Sequence, residues 1–503
     1  MRYRIVALAV VSVLAMAVPA GATPPRIAPD SAGPKPPGPT PPPGTTPPPG
    51  APSGEAWAWT QLTSNGTQIR YVSTDTSLTC PVVRYTLGGS RNPYALHRVS
   101  LPGPTSQFPT TVCELRVPLT ASNAVLEQTS IQAATVHPAN LQLPLPRWTS
   151  NTRPSNIAVI GDAGCEVPTA GPVQNCANHQ TGWPFQRIAD SAATVTKPDL
   201  VIHTGDYLYR DDPARANDKA ANPGCTTLTD RASWACVIAD FFRPAEKLLA
   251  AAPIALTRGN HEDCNTMQQG GAGGAWFRYL ADDLRNNGSC SVYPPPSLIK
   301  AGTLTLASVD SSFADDGTTT PTQRGIYARQ FQAVNQAAVH NPNNDYFVVT
   351  HKPLWMVKAA GTPPNSAEWL THVLDAAVSD TSLHRLADNV RLVLSGHVHL
   401  YQMVDFNTSR PPQLTVGSSG GPLDNGPDDA KVVGQRIGTP PQAVTQSITQ
   451  EQNPPGGVGV FGYAVLNDNG GTWNLTFHDP SGAVRGKTCA LSASKTSKSF
   501  ACH

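Results

Sequence analysis

Five short apolar runs in the second part of the chain each end in a polar cluster rich in glycine, histidine or carboxylate residues. The runs and the clusters that follow them are Asn156–Ile160 before Gly161-Asp162-Ala163-Gly164, Asp199–His203 before Gly205-Asp206-Tyr207-Leu208-Tyr209, Pro253–Leu256 before Gly259-Asn260-His261-Glu262, Tyr346–Val349 before His351, and Val390–Leu394 before Gly396-His397-Val398-His399. Aspartate, asparagine and histidine side chains supply oxygen and nitrogen ligands for metal ions. The clusters therefore contain the residue types that metal-dependent chemistry needs.

Taken singly, each cluster is weak evidence for a site. A Gly-Asp pair after a strand is usually a turn, and a lone histidine is more often structural than a ligand. His397 and His399 are stronger candidates, because residues two apart on an extended segment face the same side. The other candidate ligands at equivalent strand ends are Asp162, Asp206, Asn260 and His351. The whole set is sufficient for two metal ions if one carboxylate bridges them.

The elements that must position these residues are predicted from the pattern around them. Helix-compatible segments separate the apolar runs, and they are Phe185–Val195, Trp234–Ala251, Ala328–His340 and Ser366–Val378. Short buried strands that alternate with helices predict a layered α/β fold. Such folds place their chemistry just beyond the carboxyl ends of the strands, which is where the five clusters lie.

In this order the clusters resemble the five sequence blocks of calcineurin-like metallophosphoesterases, over about residues 155–480. More narrowly, they resemble purple acid phosphatases. The first block ends in Gly164, where many metallophosphoesterases have a histidine ligand, and Tyr209 lies three residues after Asp206. The resemblance implies a four-layer α/β/β/α sandwich and a metal-dependent phosphoric ester hydrolase of the acid phosphatase type.

The resemblance also implies two metal sites that share one carboxylate. The residues implied for Fe(III) are Asp162, Asp206, Tyr209 and His399, and those implied for a divalent Fe, Zn or Mn are Asp206, Asn260, His351 and His397. Trivalent iron prefers anionic oxygen, so two carboxylates and a phenolate suit it, whereas the imidazole-rich set suits a divalent ion. Two such ions about 3.5–4 Å apart generate a hydroxide at modest pH and clamp the phosphoryl oxygens.

Two residues beside the implied ligands have expected roles. His261 resembles the family histidine that contacts phosphate and protonates the leaving oxygen. Glu262 either orients His261, as carboxylates behind a site often do, or belongs to a surface turn. His203 precedes Gly205-Asp206 within a strand and is expected to be packed.

One departure from plant-type relatives concerns the substrate. Those relatives have further histidines soon after the fourth block, but this chain continues from His351 as Lys352-Pro353-Leu354-Trp355-Met356-Val357-Lys358. Either lysine could replace the missing positive charge, and either could be an ordinary exposed lysine. The substrate range therefore stays open.

The amino-terminal part of the chain indicates export. Arg2 and Arg4 precede the apolar run Ile5–Val18 and the small residues Ala20-Gly21-Ala22, which is the pattern of a cleaved signal peptide. No other stretch of about 18 apolar residues follows, so no membrane span is expected after cleavage. Residues 23–53 are nearly half proline and are predicted to be a polyproline spacer.

The ten cysteines agree with an oxidising compartment. Their even number behind a signal peptide favours disulfides, and the chain has no CxxC pair that would indicate a zinc or redox motif. The simplest pairing joins sequential neighbours, although sequence alone does not exclude other pairings. These pairs are Cys80–Cys113, Cys165–Cys176, Cys225–Cys236, Cys264–Cys290 and Cys489–Cys502.

Composition and turn signals complete the expected organisation. Residues 55–146 consist of short alternating stretches broken by Gly, Pro and Asn, which predicts a small sandwich or barrel. The expected parts are a signal peptide (1–22), a Pro-rich linker (23–53), an all-β domain (54–150), a metallophosphoesterase domain (151–485) and a disulfide-tied tail (486–503). A net charge of +1 excludes a general basic surface for nucleic acid.

The sequence thus predicts a secreted or periplasmic dinuclear-metal phosphomonoesterase that acts on a small phosphate ester. Its nearest alternative is a phosphodiesterase or nucleotidase that uses the same metals. A non-catalytic cell-surface module is a third possibility, supported only by the proline spacer and the β domain. The oligomeric state is open.

Overall fold

The structure is a computed structural model. It describes residues 54–74, 79–99, 103–131, 133–212, 215, 224–225, 232–268, 271–284, 290–316, 320–360, 366–370, 372–452 and 456–503. The predicted signal peptide and Pro-rich linker lie outside the described residues.

Strands make up most of the regular structure. In chain order they are β1 (Glu55–Thr63), β2 (Gly66–Ser73), β3 (Val82–Leu87), β4 (Ser90–Ala95), β5 (His97–Arg98), β6 (Thr111–Val117), β7 (Ser122–Leu126), β8 (Thr135–His137), β9 (Gln142–Leu143), β10 (Asn156–Ile160), β11 (Leu200–His203), β12 (Ile254–Leu256), β13 (Ser297–Ala301), β14 (Leu304–Ser308), β15 (Asp345–Val349), β16 (Met356–Ala360), β17 (Ser366–Leu370), β18 (Val390–Ser395), β19 (Tyr401–Asp405), β20 (Gln413–Val416), β21 (Arg436–Ile437), β22 (Gln442–Ala443), β23 (Gln446–Thr449), β24 (Tyr463–Asp468), β25 (Trp473–His478), β26 (Val484–Leu491) and β27 (Phe500–Cys502).

Helices connect and cover these strands. They are α1 (Phe185–Ser191), α2 (Trp234–Val237), α3 (Glu246–Ala251), α4 (Cys264–Gln268), α5 (Ala272–Ala275), α6 (Pro321–His340), α7 (His372–Ser379) and α8 (Asp429–Val432). Wider π turns extend α1, α2 and α5 over Ala192–Thr196, Ile238–Phe242 and Trp276–Leu280. The long helix α6 begins with a proline after Thr320, whose side chain accepts a hydrogen bond from Gln323 N.

Two large sheets pack face to face. Within the described residues, the first sheet has the order β27-β26-β25-β24-β10-β11-β12-β1-β2-β6-β5, with β8 added beside β1. The second has the order β13-β14-β15-β18-β20-β19-β23. Strands β10, β11 and β12 are parallel neighbours in the first sheet, and β14, β15, β18 and β20 are parallel in the second. Each sheet therefore presents several strand carboxyl ends at one edge.

The layers follow from which face of each strand is apolar. In β10, Ile157 and Val159 pack between the two sheets, whereas Ala158 and Ile160 pack with the helices on the outer face of the first sheet. Strands buried on both faces appear in sequence as continuous apolar runs. Helices α6 and α7 pack on the outer face of the second sheet. The predicted α/β/β/α sandwich is therefore confirmed.

The amino-terminal β region is a two-sheet sandwich, and one of its sheets continues into the first large sheet. Strand β1 pairs with β12 in parallel, through Gln61 with Ile254 and Leu62 with Ala255. A separate four-stranded sheet, in the order β4-β3-β7-β9, encloses an apolar core with the opposite face of β1, β2 and β6. Trp57 and Trp59 are buried in the core that also contains the helices of the first sheet.

The predicted helical segment Ser366–Val378 was wrong at its amino-terminal end. Residues 366–370 form strand β17, which pairs antiparallel with β16, and the helix begins only at His372. The main-chain pairing with β16 replaces the first turns of the helix that the sequence suggested, because tertiary contacts override a weak local preference. Strands β24 and β25 form an antiparallel hairpin in the first sheet.

Five disulfides join the ten cysteines. They connect Cys80–Cys113, Cys165–Cys176, Cys225–Cys236, Cys264–Cys290 and Cys489–Cys502, which are the sequential neighbours. Among the described residues, none of the helices has both the length and the apolar character that crossing a membrane requires.

Candidate metal centre

The predicted ligands come from both sheets. Asp162, Asp206 and Asn260 follow the parallel strands β10, β11 and β12 of the first sheet. His351 and the pair His397 and His399 follow β15 and β18 of the second sheet. Because the carboxyl ends of both strand sets lie at the same end of the sandwich, the side chains meet in the crevice between the sheets.

Tyr209 lies at the centre of one half of the site. Its Oη is 2.9 Å from Asp162 Oδ1, 2.9 Å from Asp206 Oδ2 and 2.9 Å from His399 Nε2. The side chain is almost fully buried. The other tyrosine of this loop, Tyr207, donates a hydrogen bond from its Oη to the carbonyl of Thr257 instead.

Asn260 lies at the centre of the other half. Its Oδ1 is 2.9 Å from His351 Nε2 and 2.8 Å from His397 Nδ1. His351 Nε2 is also 3.1 Å from Asp206 Oδ2. Asp206 Oδ2 therefore contacts Tyr209 on one side and His351 on the other, so its carboxylate lies between the two halves.

The donor set fits bound cations better than it fits internal hydrogen bonding. The Tyr209 hydroxyl has one proton, yet three acceptor-capable atoms lie at 2.9 Å from it. One oxygen each from Asp162 and Asp206 and one nitrogen of His351 lie within 4.8 Å of one another, and all three residues are buried. Buried carboxylates are paired or coordinate metals, so this group suits a bound cation.

Burial and neighbouring charges shift the protonation of these groups. Burial raises the pKa of Asp162 to about 6. Burial also acts on Asp206, but His351 and His261 outweigh it and hold the pKa of Asp206 well below its ordinary value. Burial, followed by the charges of Asp162 and Asp206, raises the pKa of Tyr209 well above its ordinary value. A phenolate at this position consequently needs a cation beside it.

Three of the candidate ligands have a left-handed backbone. The φ angles of Asp162, Asp206 and His397 are 54°, 55° and 73°. Non-glycine residues adopt this conformation rarely, and the strain costs about 1–3 kcal/mol at each position. Such strain is typical of positions where side-chain direction is required for function.

Two glycines leave space for the candidate ligands. A Cβ atom at Gly164 would lie 2.8 Å from the backbone nitrogen of Tyr209 and 2.9 Å from its ring. A Cβ atom at Gly259 would overlap the Asp206 carboxylate. Gly164 and Tyr209 therefore complement each other, since a histidine at 164 would occupy the space of the tyrosine.

His261 lies at the rim of the site. Its backbone N–H donates to Asp206 Oδ1 at 3.0 Å, and its ring meets the Tyr209 ring edge to face with centroids 4.5 Å apart. Its Nδ1 is 3.7 Å from Asp211 Oδ2, and a third of the side chain is exposed. Among the predicted residues, His261 is thus placed to face a ligand that enters from solvent.

Glu262 does not belong to a surface turn. It is fully buried, and its carboxylate accepts hydrogen bonds from the backbone N–H groups of Tyr207, Leu208 and Gly259. Glu262 therefore joins the Asp206 loop to the Asn260 loop. The predicted surface turn was wrong, because sequence position did not show that the two loops are adjacent.

His203 and Lys352 are buried, whereas Lys358 is only partly buried. His203 is buried against Tyr207 with ring centroids 4.0 Å apart, as predicted, and burial lowers its pKa to about 3. Lys352 is buried and its Nζ contacts Ala314 O and Asp316, so it is not an ordinary exposed lysine. Lys358 lies half-buried in β16.

Sequence reasoning missed two acidic residues beside the site. Asp316 contacts His397 Nε2 at 3.0 Å, and Asp424 accepts the backbone N–H of His399 at 2.9 Å. Asp316 had a detectable signal, because it lies beyond another apolar run with a polar end, Leu304–Ser308 before Asp310. Asp424 had no comparable signal.

Comparison with known proteins agrees with this geometry. Residues 155–401 match the family model described as calcineurin-like phosphoesterase. The matched region contains all seven candidate ligands and His261. Residues 155–401 are a calcineurin-like phosphoesterase domain. The protein is accordingly a metal-dependent phosphoric ester hydrolase.

One solved structure supports the fold. A purple acid phosphatase isolated from yellow lupin (Lupinus luteus) seeds aligns with a TM-score of 0.51 and 13% identity, over 85% of this chain and 72% of that chain. At this identity the likeness concerns the fold, which is thus purple acid phosphatase-like. A conserved uncharacterized protein of Streptococcus pneumoniae TIGR4, described as a predicted phosphoesterase, aligns with a TM-score of only 0.24 and 10% identity, over 70% of this chain and 99% of that chain. Among curated proteins, no sequence matches this chain.

Proposed function

We propose that this calcineurin-like phosphoesterase is a secreted phosphomonoesterase with two metal ions, similar to purple acid phosphatases. The observation that carries the proposal is the position of Tyr209 Oη, 2.9 Å from Asp162, Asp206 and His399. A phenol held against two carboxylates is suited to a hard trivalent ion. Gly164 supports the same conclusion, because it leaves the space that the tyrosine ring occupies.

The two halves of the site suit different ions. The half with Asp162, Asp206, Tyr209 and His399 has three oxygen donors and suits Fe(III). The half with Asp206, Asn260, His351 and His397 is richer in imidazole and suits divalent Fe, Zn or Mn. When bound, the two ions would lower the pKa of a water molecule and neutralise phosphoryl oxygens.

The residues of the chain would divide the remaining work. The Asp206 carboxylate bridges the two halves and keeps them at a fixed separation. His261 is partly exposed at the rim with Nδ1 facing the Asp211 carboxylate, so as an imidazolium it would carry its second proton on Nε2. As water adds to phosphorus and the ester P–O bond breaks, that proton passes to the leaving alcohol oxygen.

A phosphodiesterase or nucleotidase that uses the same site is the second candidate. Lys352 Nζ is 3.1 Å from Asp316 Oδ2 and is largely buried, so its charge is already balanced. A phosphomonoester dianion gains more from an additional free cation than a diester monoanion does. Because the Lys352 charge is paired with Asp316, the site lacks one feature that would favour a monoester over a diester.

Hydrolysis of p-nitrophenyl phosphate and of bis(p-nitrophenyl) phosphate separates the two candidates. We expect a higher kcat/KM for the monoester, and a large preference for the diester would replace the proposal with its rival. His261→Ala should lower kcat by about 10²–10⁴ with metal content unchanged. Asp206→Ala should remove both metal binding and activity. Unchanged hydrolysis in either variant would show that the site is elsewhere.

Metal analysis with a visible spectrum tests the assignment of the ions. Iron together with a purple or pink colour that is lost in Tyr209→Phe would support phenolate ligation. Two zinc ions without colour in the wild type would contradict the Fe(III) assignment while leaving a dinuclear hydrolase.

Export is proposed from two features. The sequence begins with a signal-peptide pattern, and all ten cysteines form disulfides. Structural disulfides persist in oxidising compartments rather than in the cytosol. Fractionation of the producing cells should recover the activity outside the cytoplasm, and recovery in the cytoplasm would overturn this part of the proposal.

A further inference from the structure

Each of the three histidines of the candidate metal centre has an acceptor at its second ring nitrogen. His351 Nδ1 is 2.9 Å from the Thr204 carbonyl, and His399 Nδ1 is 2.7 Å from the Pro422 carbonyl. Both acceptors belong to the backbone. His397 differs, because its Nε2 is 3.0 Å from the side-chain carboxylate of Asp316.

The contacts of His397 define which nitrogen faces the centre. Nδ1 lies 2.8 Å from Asn260 Oδ1, on the side where the candidate ligands gather. Nε2 faces the opposite way, toward Asp316. Both neighbours are acceptors, but the ionised Asp316 carboxylate is a stronger acceptor than the Asn260 amide oxygen, so the ring proton is favoured on Nε2 and the Nδ1 lone pair is left to bind a metal ion.

Lys352 holds the Asp316 carboxylate in this position. Its Nζ donates to Asp316 Oδ2 at 3.1 Å and to the Ala314 carbonyl at 2.6 Å. The backbone of Lys352 is fixed in turn, because its N–H donates to Ser311 Oγ at 2.8 Å. Lys352 also follows His351 directly in sequence, so the anchor belongs to a ligand-bearing loop.

We propose that Asp316, anchored by Lys352, is a positioning residue that orients His397 and fixes its tautomer for the divalent metal site. The proposal rests on the proposed dinuclear function. Carboxylate partners of metal-binding histidines fix ring orientation and raise ligand basicity, and their removal typically lowers metal affinity by about 10–100-fold. The other half of the centre, around Tyr209, has no contact with Asp316 and should keep its affinity.

The test is a calorimetric titration of the metal-free, full-length protein with Zn²⁺ alone. The wild type should bind two Zn²⁺ ions. Asp316→Asn should weaken one of the two sites by about 10–100-fold and leave the other unchanged. Asp315→Asn is the matched control, because it removes the same charge one residue away and should change neither site. Circular dichroism and thermal melting of each variant would show that the fold is kept.

A second pair of variants tests the anchor. Lys352→Met should weaken the same Zn²⁺ site by less than Asp316→Asn does, and the double variant should be no weaker than Asp316→Asn alone. Such non-additivity is expected when one residue acts through the other. Independent effects that simply add would show that Lys352 does not act through Asp316.

Histidine ¹⁵N NMR of the metal-free protein gives a readout that does not depend on metal or activity. The His397 signal, identified by its loss in His397→Gln, should report a proton on Nε2 in the wild type and a mixture of tautomers in Asp316→Asn. A wild type that binds two Zn²⁺ ions with affinities equal to those of Asp316→Asn would overturn the positioning role alone. A wild type that binds no Zn²⁺ would instead overturn the proposed function.

Discussion

At the scale of single residues, the candidate centre combines a strained backbone at three ligands with tight packing between the loops that carry them. Asp162, Asp206 and His397 all have positive φ. The strained conformations direct these side chains into the site at a cost in folding free energy. Favourable contacts elsewhere in the fold must offset that cost. Glycines without side chains, such as Gly259 beside Asp206, allow the neighbouring loops to pack this closely.

Gly259→Ala should therefore disable the site. The added methyl group would overlap the Asp206 carboxylate, which must move away from both halves of the centre. We expect a loss of about 10²-fold or more in kcat/KM, and a loss of about 1–3 kcal/mol in the free energy of unfolding. Metal content, steady-state kinetics and urea unfolding would measure these effects.

Gly325→Ala is the control for that experiment. Gly325 lies in helix α6, where a Cβ atom would meet only the end of Arg329 at 3.8 Å. The same chemical change should stabilise the protein by about 0.5–1 kcal/mol and leave activity unchanged, because alanine favours a helix over glycine. Equal losses in both variants would contradict the steric explanation at Gly259.

Residue types and spacing were sufficient to predict which side chains gather, because strand ends in an α/β sheet are a recurrent position for polar groups. Residue types and spacing did not predict contacts that join loops distant in sequence. Asp316 reaches His397 from a loop after β14, and Glu262 joins two loops through backbone N–H groups. Both contacts depend on which loops are neighbours in space.

At the scale of elements, a histidine joins β8, β1 and helix α3. His137 Nε2 is 3.2 Å from Glu55 and Nδ1 is 2.8 Å from Glu246, while the ring stacks on Trp57 with centroids 4.0 Å apart. Arg243 also contacts Glu55 at 3.2 Å. The hydrogen bond to Glu55 has the largest influence, followed by burial, which opposes it, and the net effect is a raised pKa of His137.

The raised pKa predicts a specific pH dependence of stability. Protonated His137 stabilises the fold fully below the unfolded pKa of about 6.5, and this contribution is lost as pH rises through the higher folded pKa. The wild type should exceed His137→Gln by about 1–2 kcal/mol at pH 5.5 and by less at pH 8.5. Urea unfolding at the two pH values measures the difference, and a difference independent of pH would exclude a charged His137.

Sequence periodicity predicted the five strands that precede the candidate ligands and the helices α1, α6 and α7, but not all of their boundaries. Strand β17 was interpreted as the start of a helix, since nothing local shows that residues 366–370 have a partner in β16. Strands buried on both faces were easier to recognise, because an uninterrupted apolar run such as that of β10 has few other interpretations.

At the scale of the whole molecule, the amino-terminal β region is integrated with the phosphoesterase domain. Besides the pairing of β1 with β12, Gln61 Nε2 donates to the Leu280 carbonyl at 2.7 Å, and Arg70 Nη1 donates to the Tyr279 carbonyl at 2.9 Å. Thr110 Oγ1 and Tyr279 Oη are 2.8 Å apart. A change of composition near residue 150 could not reveal these contacts, since they join residues distant in sequence.

Removal of the β region should therefore unfold the enzyme. A protein that starts at residue 151 would expose the β12 edge and the core surface that Trp57 and Trp59 cover. We expect it to lack a cooperative thermal transition, whereas a protein that starts at residue 54 should melt cooperatively. Native-like melting and activity of residues 151–503 alone would show that the domains are independent.

Because the candidate ligands come from both sheets, metal binding should affect how stably the two sheets pack together. Asp162, Asp206 and Asn260 extend from one sheet, and His351 and His397 extend from the other. A metal ion bound between them would link the two sheets, and its binding free energy would add to the stability of the folded sandwich. Removal of bound metal by a chelator would change contacts at only one end of the sandwich. It should nevertheless speed amide hydrogen exchange along the whole interface between the two sheets.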